Sequence, residues 1–156
     1  MKIQTRTLGA VEATPESFVT LPEGLIGFDD QREFALVASA DHAPFRWLLS
    51  FADPDVTFPL LPAHLVAEDY RPGLAASDAR AIGAVGSDAF EVYVIAAVDA
   101  EGRLTANLRA PIVLNPQSRL ARQVVLSDGR WTVDHLVAHG NEVSRDASGA
   151  RTRQAA

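Results

Sequence analysis

Pro15, Pro22, Pro44, Pro54, Pro59, Pro62, Pro72, Pro111 and Pro116 are distributed along this chain, and each removes a backbone donor and locks φ near about −65°. Such spacing forbids long helices, and an all-helical fold is excluded. Between the prolines the commonest pattern is a short apolar alternation closed by turn residues, the pattern of strands. Phe90-Glu91-Val92-Tyr93-Val94-Ile95-Ala96-Ala97-Val98 is the clearest case. Phe90, Val92, Val94, Ala96 and Val98 share one face, and Tyr93, Ile95 and Ala97 follow Glu91 on the other. A strand apolar on both faces belongs to a barrel or sandwich with something packed outside it.

Asp99-Ala100-Glu101-Gly102 supplies turn chemistry before Leu104-Thr105-Ala106-Asn107-Leu108, so a hairpin is expected there. Further strands are expected at 4–8, 17–21, 33–38, 45–51, 112–114, 122–126 and 131–136. Ser127-Asp128-Gly129-Arg130 reads as a tight turn pairing the last two, because glycine accepts positive φ without a Cβ clash. Helix is confined to the middle: a short turn over 62–66, and another over 77–82 with Ser77 as N-cap. From Gly140 onward there is no aromatic residue and one β-branched aliphatic, too little to offset ordering entropy. The expectation is one β domain over 1–139 with one or two short helices, and a disordered tail over 140–156.

A length of 156 residues suits a single domain with a full core. With no cysteine there is no disulfide, thiolate nucleophile or cysteine zinc site. No apolar run is long enough to span a membrane, and the first residues lack the apolar core of a signal peptide. The chain is expected to remain in the compartment where it is made. Its net charge of −6 opposes non-specific nucleic-acid binding, where phosphate neutralisation supplies most of the affinity. A basic protein partner is better matched.

Catalytic patterns are not legible. His135 and His139 are four apart, but the strand context would hold them about 13 Å apart, too far for one metal. Asp53 and Asp55 flank Pro54, and Glu68-Asp69 adjoin Tyr70; acidic residues beside proline are ordinarily turn formers. No serine sits in a Gly-x-Ser-x-Gly elbow. Gly24-Leu25-Ile26-Gly27-Phe28 has neither the spacing nor the lysine of a phosphate loop.

Two regions are unusual. In Leu21-Pro22-Glu23-Gly24-Leu25-Ile26-Gly27-Phe28 a proline turn and two glycines carry three large apolar groups, read as a loop whose Leu25, Ile26 and Phe28 plug one end of a barrel. In Thr105 to Pro116, Pro111 interrupts an otherwise excellent strand and marks an edge or a bulge, where a visiting chain can pair. Asn107, Arg109 and Asn115 form a polar row there beside apolar neighbours, as at protein-binding hot spots. The alternative stands beside it: both asparagines satisfy loop backbone and Arg109 is a solvated strand residue.

Taken in order, these features resemble the FliW family of flagellar assembly factors, from about Ile3 to about His135. The resemblance is carried by Gly9 with Val11-Glu12 and Pro15-Glu16, by Leu21 to Phe28, and by Phe34. It continues with Phe45, Trp47-Leu48 and Ser50, Asp53-Pro54 with Phe58, Asp69-Tyr70, and Val92-Tyr93-Val94-Ile95. It ends with Thr105 to Asn115 and Gln123-Val124-Val125-Leu126, and its most specific part is Asn107 to Asn115 followed eight residues later by Gln123. The chain departs from the family pattern at Ile26, where proline usually precedes Gly-Phe, and at Asp134-His135-Leu136, where a basic residue, His and Pro are usual.

The resemblance implies a mostly antiparallel β-barrel-like domain in the bacterial cytoplasm. It implies binding to the translational repressor CsrA, relieving repression of flagellin messenger RNA, with flagellin as the alternate partner. It places partner contacts at Asn107, Arg109, Pro111, Asn115 and Gln123, with Tyr70 and Phe28. No cofactor, metal, membrane or direct nucleic-acid contact is expected, and the chain is read as a monomer. The competing reading is a small β-barrel that binds a ligand or metal.

Overall fold

A computed structural model of the chain describes residues 1–84 and 90–137. The described strands are β1 (Lys2–Thr5), β2 (Gly9–Glu12), β3 (Phe18–Thr20), β4 (Glu33–Ala38), β5 (Arg46–Ser50) and β6 (Thr57–Pro62). They continue as β7 (Glu91–Val98), β8 (Leu104–Ala106), β9 (Ile112–Asn115), β10 (Leu120–Gln123) and β11 (His135–Leu136). One short helix, α1 (Ala76–Ala81), and 3₁₀ turns at Pro15–Ser17, Ala40–His42 and Ala63–Leu65 complete the described secondary structure.

β7 explains how the sheet closes. Its first half, Glu91 to Tyr93, pairs with β9, and its second half, Ala96 to Val98, pairs with β8. Its other edge pairs with β6. From β6 the ladder runs through β5, β4, β3 and β10 to β9, and the β7–β9 pairing joins the ends into a seven-stranded barrel. All these pairings are antiparallel except β3 with β10, where Leu120 lies opposite Thr20. A mostly antiparallel all-β barrel with one minor helix is therefore the fold, as the strand pattern and the resemblance led one to expect.

The core has three parts. Val19, Phe34, Leu48, Leu60, Tyr93, Ile112, Leu114 and Ala121 come from all seven barrel strands and fill the interior. Outside β4 and β5, the β1–β2 hairpin lays Ile3 and Ala13 over Ala35, Trp47 and Leu49. Outside β6, β7 and β8, Tyr70, Leu108, Trp131 and Val137 cover Leu61, Val94 and Ala96. This is why β7 is apolar on both faces: Tyr93 points into the barrel and Val94 out into a covered cluster.

Several sequence expectations are corrected. The first strand lies at Lys2–Thr5 and not 4–8, and its hairpin partner β2 was not foreseen. β6 was also missed, because Pro59 and Pro62 read as breakers. Pro59 lies where β6 pairs with β5 alone, and Pro62 is the last residue, so the missing donors fall off the double ladder. The strand expected at 122–126 begins earlier, at Leu120. The strand expected at 131–136 shrinks to two residues and pairs with β8, so the hairpin through Ser127 to Arg130 does not form. A turn forms one residue later, over Asp128 to Trp131, with the Trp131 N–H donating to Asp128 O at 3.3 Å and the Arg130 N–H to Asp128 Oδ1 at 2.9 Å, and Gly129 does not take the positive φ expected of it. At its end Trp131 turns inward, its ring edge-on to Tyr70 at 4.8 Å, and that burial outweighs local strand pairing. Ser77 is not the N-cap of α1; that place belongs to Ala75, with no side-chain cap bond. Most consequentially, Pro111 does not mark an edge. β9 has neighbours on both sides and all four of its residues are buried, since Pro111 stands just before the strand and its missing N–H falls outside the ladder.

The hairpin between β7 and β8 forms as expected. Asp99 caps its own turn, accepting from the Glu101 and Arg103 amides at 3.0 and 2.8 Å, and Gly102 takes φ +80°. The expected tail, 140–156, lies outside the described residues.

Candidate functional site

The two unusual segments of the sequence meet at one place on the barrel. The first is the turn after β3. Gly24 adopts φ +67° and its N–H donates to the Leu21 carbonyl at 2.8 Å. A Cβ there would stand 2.5 Å from the Phe28 carbonyl oxygen, so only glycine lets the two strands of backbone come this close. Leu25 and Phe28 then bracket a tight turn, with the Phe28 N–H donating to Leu25 O at 2.7 Å and Gly27 at φ +85°. Positive φ at the third position is the requirement of a type II turn. Leu25 enters the barrel interior. Ile26 does not plug the barrel as expected: it projects outward and is 63% exposed, while Phe28 is 37% exposed and rests edge-on against Phe58 at 5.2 Å.

The second segment is the loop from Asn107 to Pro111. Asn107 Oδ1 accepts the N–H groups of both Arg109 and Ala110 at 3.1 Å, which bends the chain into β9. The backbone beyond β10 runs alongside: Val124 N–H donates to Pro111 O at 2.9 Å and Leu126 N–H to Arg109 O at 2.8 Å. Pro111 has no N–H to return and that of Arg109 is held by Asn107, so the regular ladder stops here. The Arg109 side chain is left exposed.

Gln123 joins the two segments. Its Oε1 accepts the Ile26 N–H at 2.9 Å, and its Nε2 donates to the Ala110 carbonyl at 3.2 Å. The departure at Ile26 matters here, because a proline at that position would have no N–H to donate. Next to Gln123, Arg122 pairs with Glu23 at 2.9 Å and with Asp78 of α1 at 3.2 Å. An open concavity of about 430 Å³ lies between Glu23, Gly24, Ile26, Asp29, Arg122 and Gln123. Val125, 61% exposed, continues the apolar surface beyond Gln123.

The seven residues singled out from the sequence thus separate by position. Phe28, Gln123, Asn107 and Arg109 lie on or beside this surface. Tyr70, Pro111 and Asn115 are buried. The Tyr70 hydroxyl donates to Leu108 O at 2.6 Å, and burial pushes its ionisation well above the ordinary tyrosine range. Asn115 donates to Ile82 O at 3.0 Å and accepts the Gln117 N–H at 2.9 Å. Ile26, Arg122 and Val125 were not singled out as contact residues. The signal for Val125 was there in principle, since it alternates with Gln123 in an extended run. Among the described residues no group of three or more His, Cys, Asp or Glu is placed to hold a metal ion; His135 is described, and His139 lies outside the described residues. No described helix is long and apolar enough to cross a membrane.

A model of the FliW protein family matches residues 2–137, the whole barrel with its outer hairpin. The chain belongs to the FliW family. A flagellar assembly factor FliW of Bdellovibrio bacteriovorus is 37% identical over 134 residues, covering 85% of this chain and 77% of that protein. One from Thermotoga petrophila is 34% identical over 140 residues, covering 88% and 94%. A crystal structure of a flagellar assembly factor FliW superposes with a TM-score of 0.79 at 31% identity, covering 88% of this chain and 96% of that one. The glycine turn, the Asn107 loop and Gln123 are distant in sequence and adjacent in the barrel.

Proposed function

We propose that this chain binds the translational repressor CsrA in the bacterial cytoplasm and so relieves repression of flagellin messenger RNA, with flagellin as the alternate partner. The observation that carries this reading is the surface where Ile26, Phe28 and Val125 are exposed beside Arg109. Large apolar groups next to an exposed guanidinium are the composition of a protein-binding hot spot. Family membership supports a role in flagellar assembly. The net charge of −6 suits a partner that carries basic surface for RNA phosphates, and electrostatic complementarity of that kind raises the association rate more than the final affinity.

A regulator that exchanges partners works through binding alone. Each partner weakens the other by the free energy with which their complexes exclude or oppose one another, and the effect is reciprocal. The test is co-elution of the purified chain with CsrA and, separately, with flagellin at micromolar concentration. Formation of both complexes, with added flagellin displacing CsrA, is expected. Absence of both would refute the reading.

A further inference from the structure

We infer that Gln123 is a positioning residue that makes the Ile26-Gly27 turn and the Asn107–Pro111 loop a single surface, so that a partner engaging one segment senses the conformation of the other. The inference deepens the reading above, and only its affinity arm rests on that reading.

The loop is already tied to the chain that carries Gln123. Val124 and Leu126 donate to Pro111 and Arg109, and Asn107 braces the loop from within. The tip of the turn is tied differently. Leu25 and Phe28 close its base on each other, but Ile26 occupies the second turn position, where the N–H points away from the turn's own carbonyls. That N–H reaches Gln123 Oε1, 97 positions away in sequence. The other end of the same amide holds Ala110 O. A planar carboxamide transmits displacement: moving the turn tip reorients the group that holds the loop. A glutamine serving only to satisfy two nearby backbone groups would show no such transmission.

Three substitutions divide the device. Ile26→Pro removes the turn N–H together with the exposed Ile26 side chain, and proline suits the second position of this turn; Ile26→Ala, which trims the side chain and keeps the N–H, is its reference. Gln123→Glu keeps an acceptor for Ile26 but cannot donate to Ala110 O. Gln123→Met keeps the length and loses both bonds. Amide ¹H–¹⁵N spectra and hydrogen exchange of the free protein form the first readout, with thermal melts confirming that each variant is folded. Ile26→Pro is expected to shift the Arg109 and Ala110 amides, which it does not touch. Gln123→Met should speed exchange of the Ile26 amide by about tenfold, and Gln123→Glu should shift the loop amides while leaving Ile26 protected. In the second readout, affinity for purified CsrA should fall about three- to tenfold in Gln123→Met against the unsubstituted chain and about three- to tenfold in Ile26→Pro against Ile26→Ala, and adding Gln123→Met to Ile26→Pro should lower it no further, as for two changes that break one connection. Loop amides unmoved by Ile26→Pro, or affinity losses that multiply in the double variant, would overturn the inference. If the unsubstituted chain binds neither CsrA nor flagellin, the proposed function fails, while the amide spectra of the free protein still decide the coupling.

Discussion

The Tyr70 hydroxyl donates to the Leu108 carbonyl at 2.6 Å in the interior of the outer cluster, beneath the Asn107–Pro111 loop. Leu108 is held at its other end as well, its N–H donating to Thr132 O at 2.9 Å. The residue preceding Arg109 is therefore fastened on both polar groups, and the loop starts from a rigid base. Tyr70→Phe would keep the ring against Trp131 and leave the Leu108 carbonyl buried without its partner. A loss of about 1–3 kcal/mol in urea unfolding is expected.

Asn107 and Arg109 are grouped by sequence and separated by structure. Asn107 accepts two backbone N–H groups, much as an N-cap does, and Asn107→Ala should cost about 1–2 kcal/mol of stability. Arg109 is exposed and makes no hydrogen bond through its guanidinium among the described residues, so Arg109→Ala should change stability by less than about 0.5 kcal/mol. Partner affinity should fall in both, through loop geometry in the first and direct contact in the second. Chemical denaturation together with a CsrA binding isotherm separates the two.

Gly24→Ala places a methyl group against the Phe28 carbonyl and Asp29 backbone and forces a non-glycine residue to φ +67°. Strain of this kind costs about 1–3 kcal/mol. Gly27, also at positive φ, has open space around its Cβ position, so Gly27→Ala carries the conformational cost without the clash and should be the milder of the two in the same unfolding measurement.

Both tyrosines of the chain are buried, and burial raises both ionisations: that of Tyr93 to about 12, helped by its hydrogen bond to Glu91 at 2.9 Å, and that of Tyr70 further. The unfolded chain releases these protons first, from the ordinary value near 10 upward. The native state then holds more protons than the unfolded one, and stability falls with rising pH in that window. Below pH 10 the contribution is fully present. Absorbance titration should show no tyrosinate forming around pH 10, and the melting temperature should drop between about pH 10 and 12.

Truncation of the core should follow the three clusters. Phe34 lies wholly inside the barrel, and Phe34→Ala should cost about 3–5 kcal/mol. Val94 lies just as deep but outside the barrel, under Tyr70 and Trp131; Val94→Ala should cost less because fewer atoms are removed. Phe90, placed by its alternation in the same row, is only half-buried and should cost less than a fully buried phenylalanine.

Much of the fold was legible because it is local. The alternation at 90–98, the Asp99 to Gly102 turn and the prolines that bar long helices act over a few residues, and the structure keeps them. β6 was illegible for the opposite reason: whether Pro59 breaks a strand depends on which neighbour lies beside it. The false hairpin at 122–136 was a locally sound pairing that lost to burial of Trp131 against Tyr70.

Of the candidate surface, the sequence by itself determined the ingredients: a glycine-dependent turn, an asparagine-bent loop and a glutamine between Arg122 and an apolar Val124-Val125-Leu126 run. Only the tertiary structure decided which of them face outward. Asn115 and Tyr70 spend their polar atoms on interior backbone, Ile26 and Val125 emerge into solvent, and Gln123 bridges segments that the chain keeps far apart. Side-chain direction in a closed barrel is set by register and by the partners that closure brings together, and no stretch of sequence contains that information on its own.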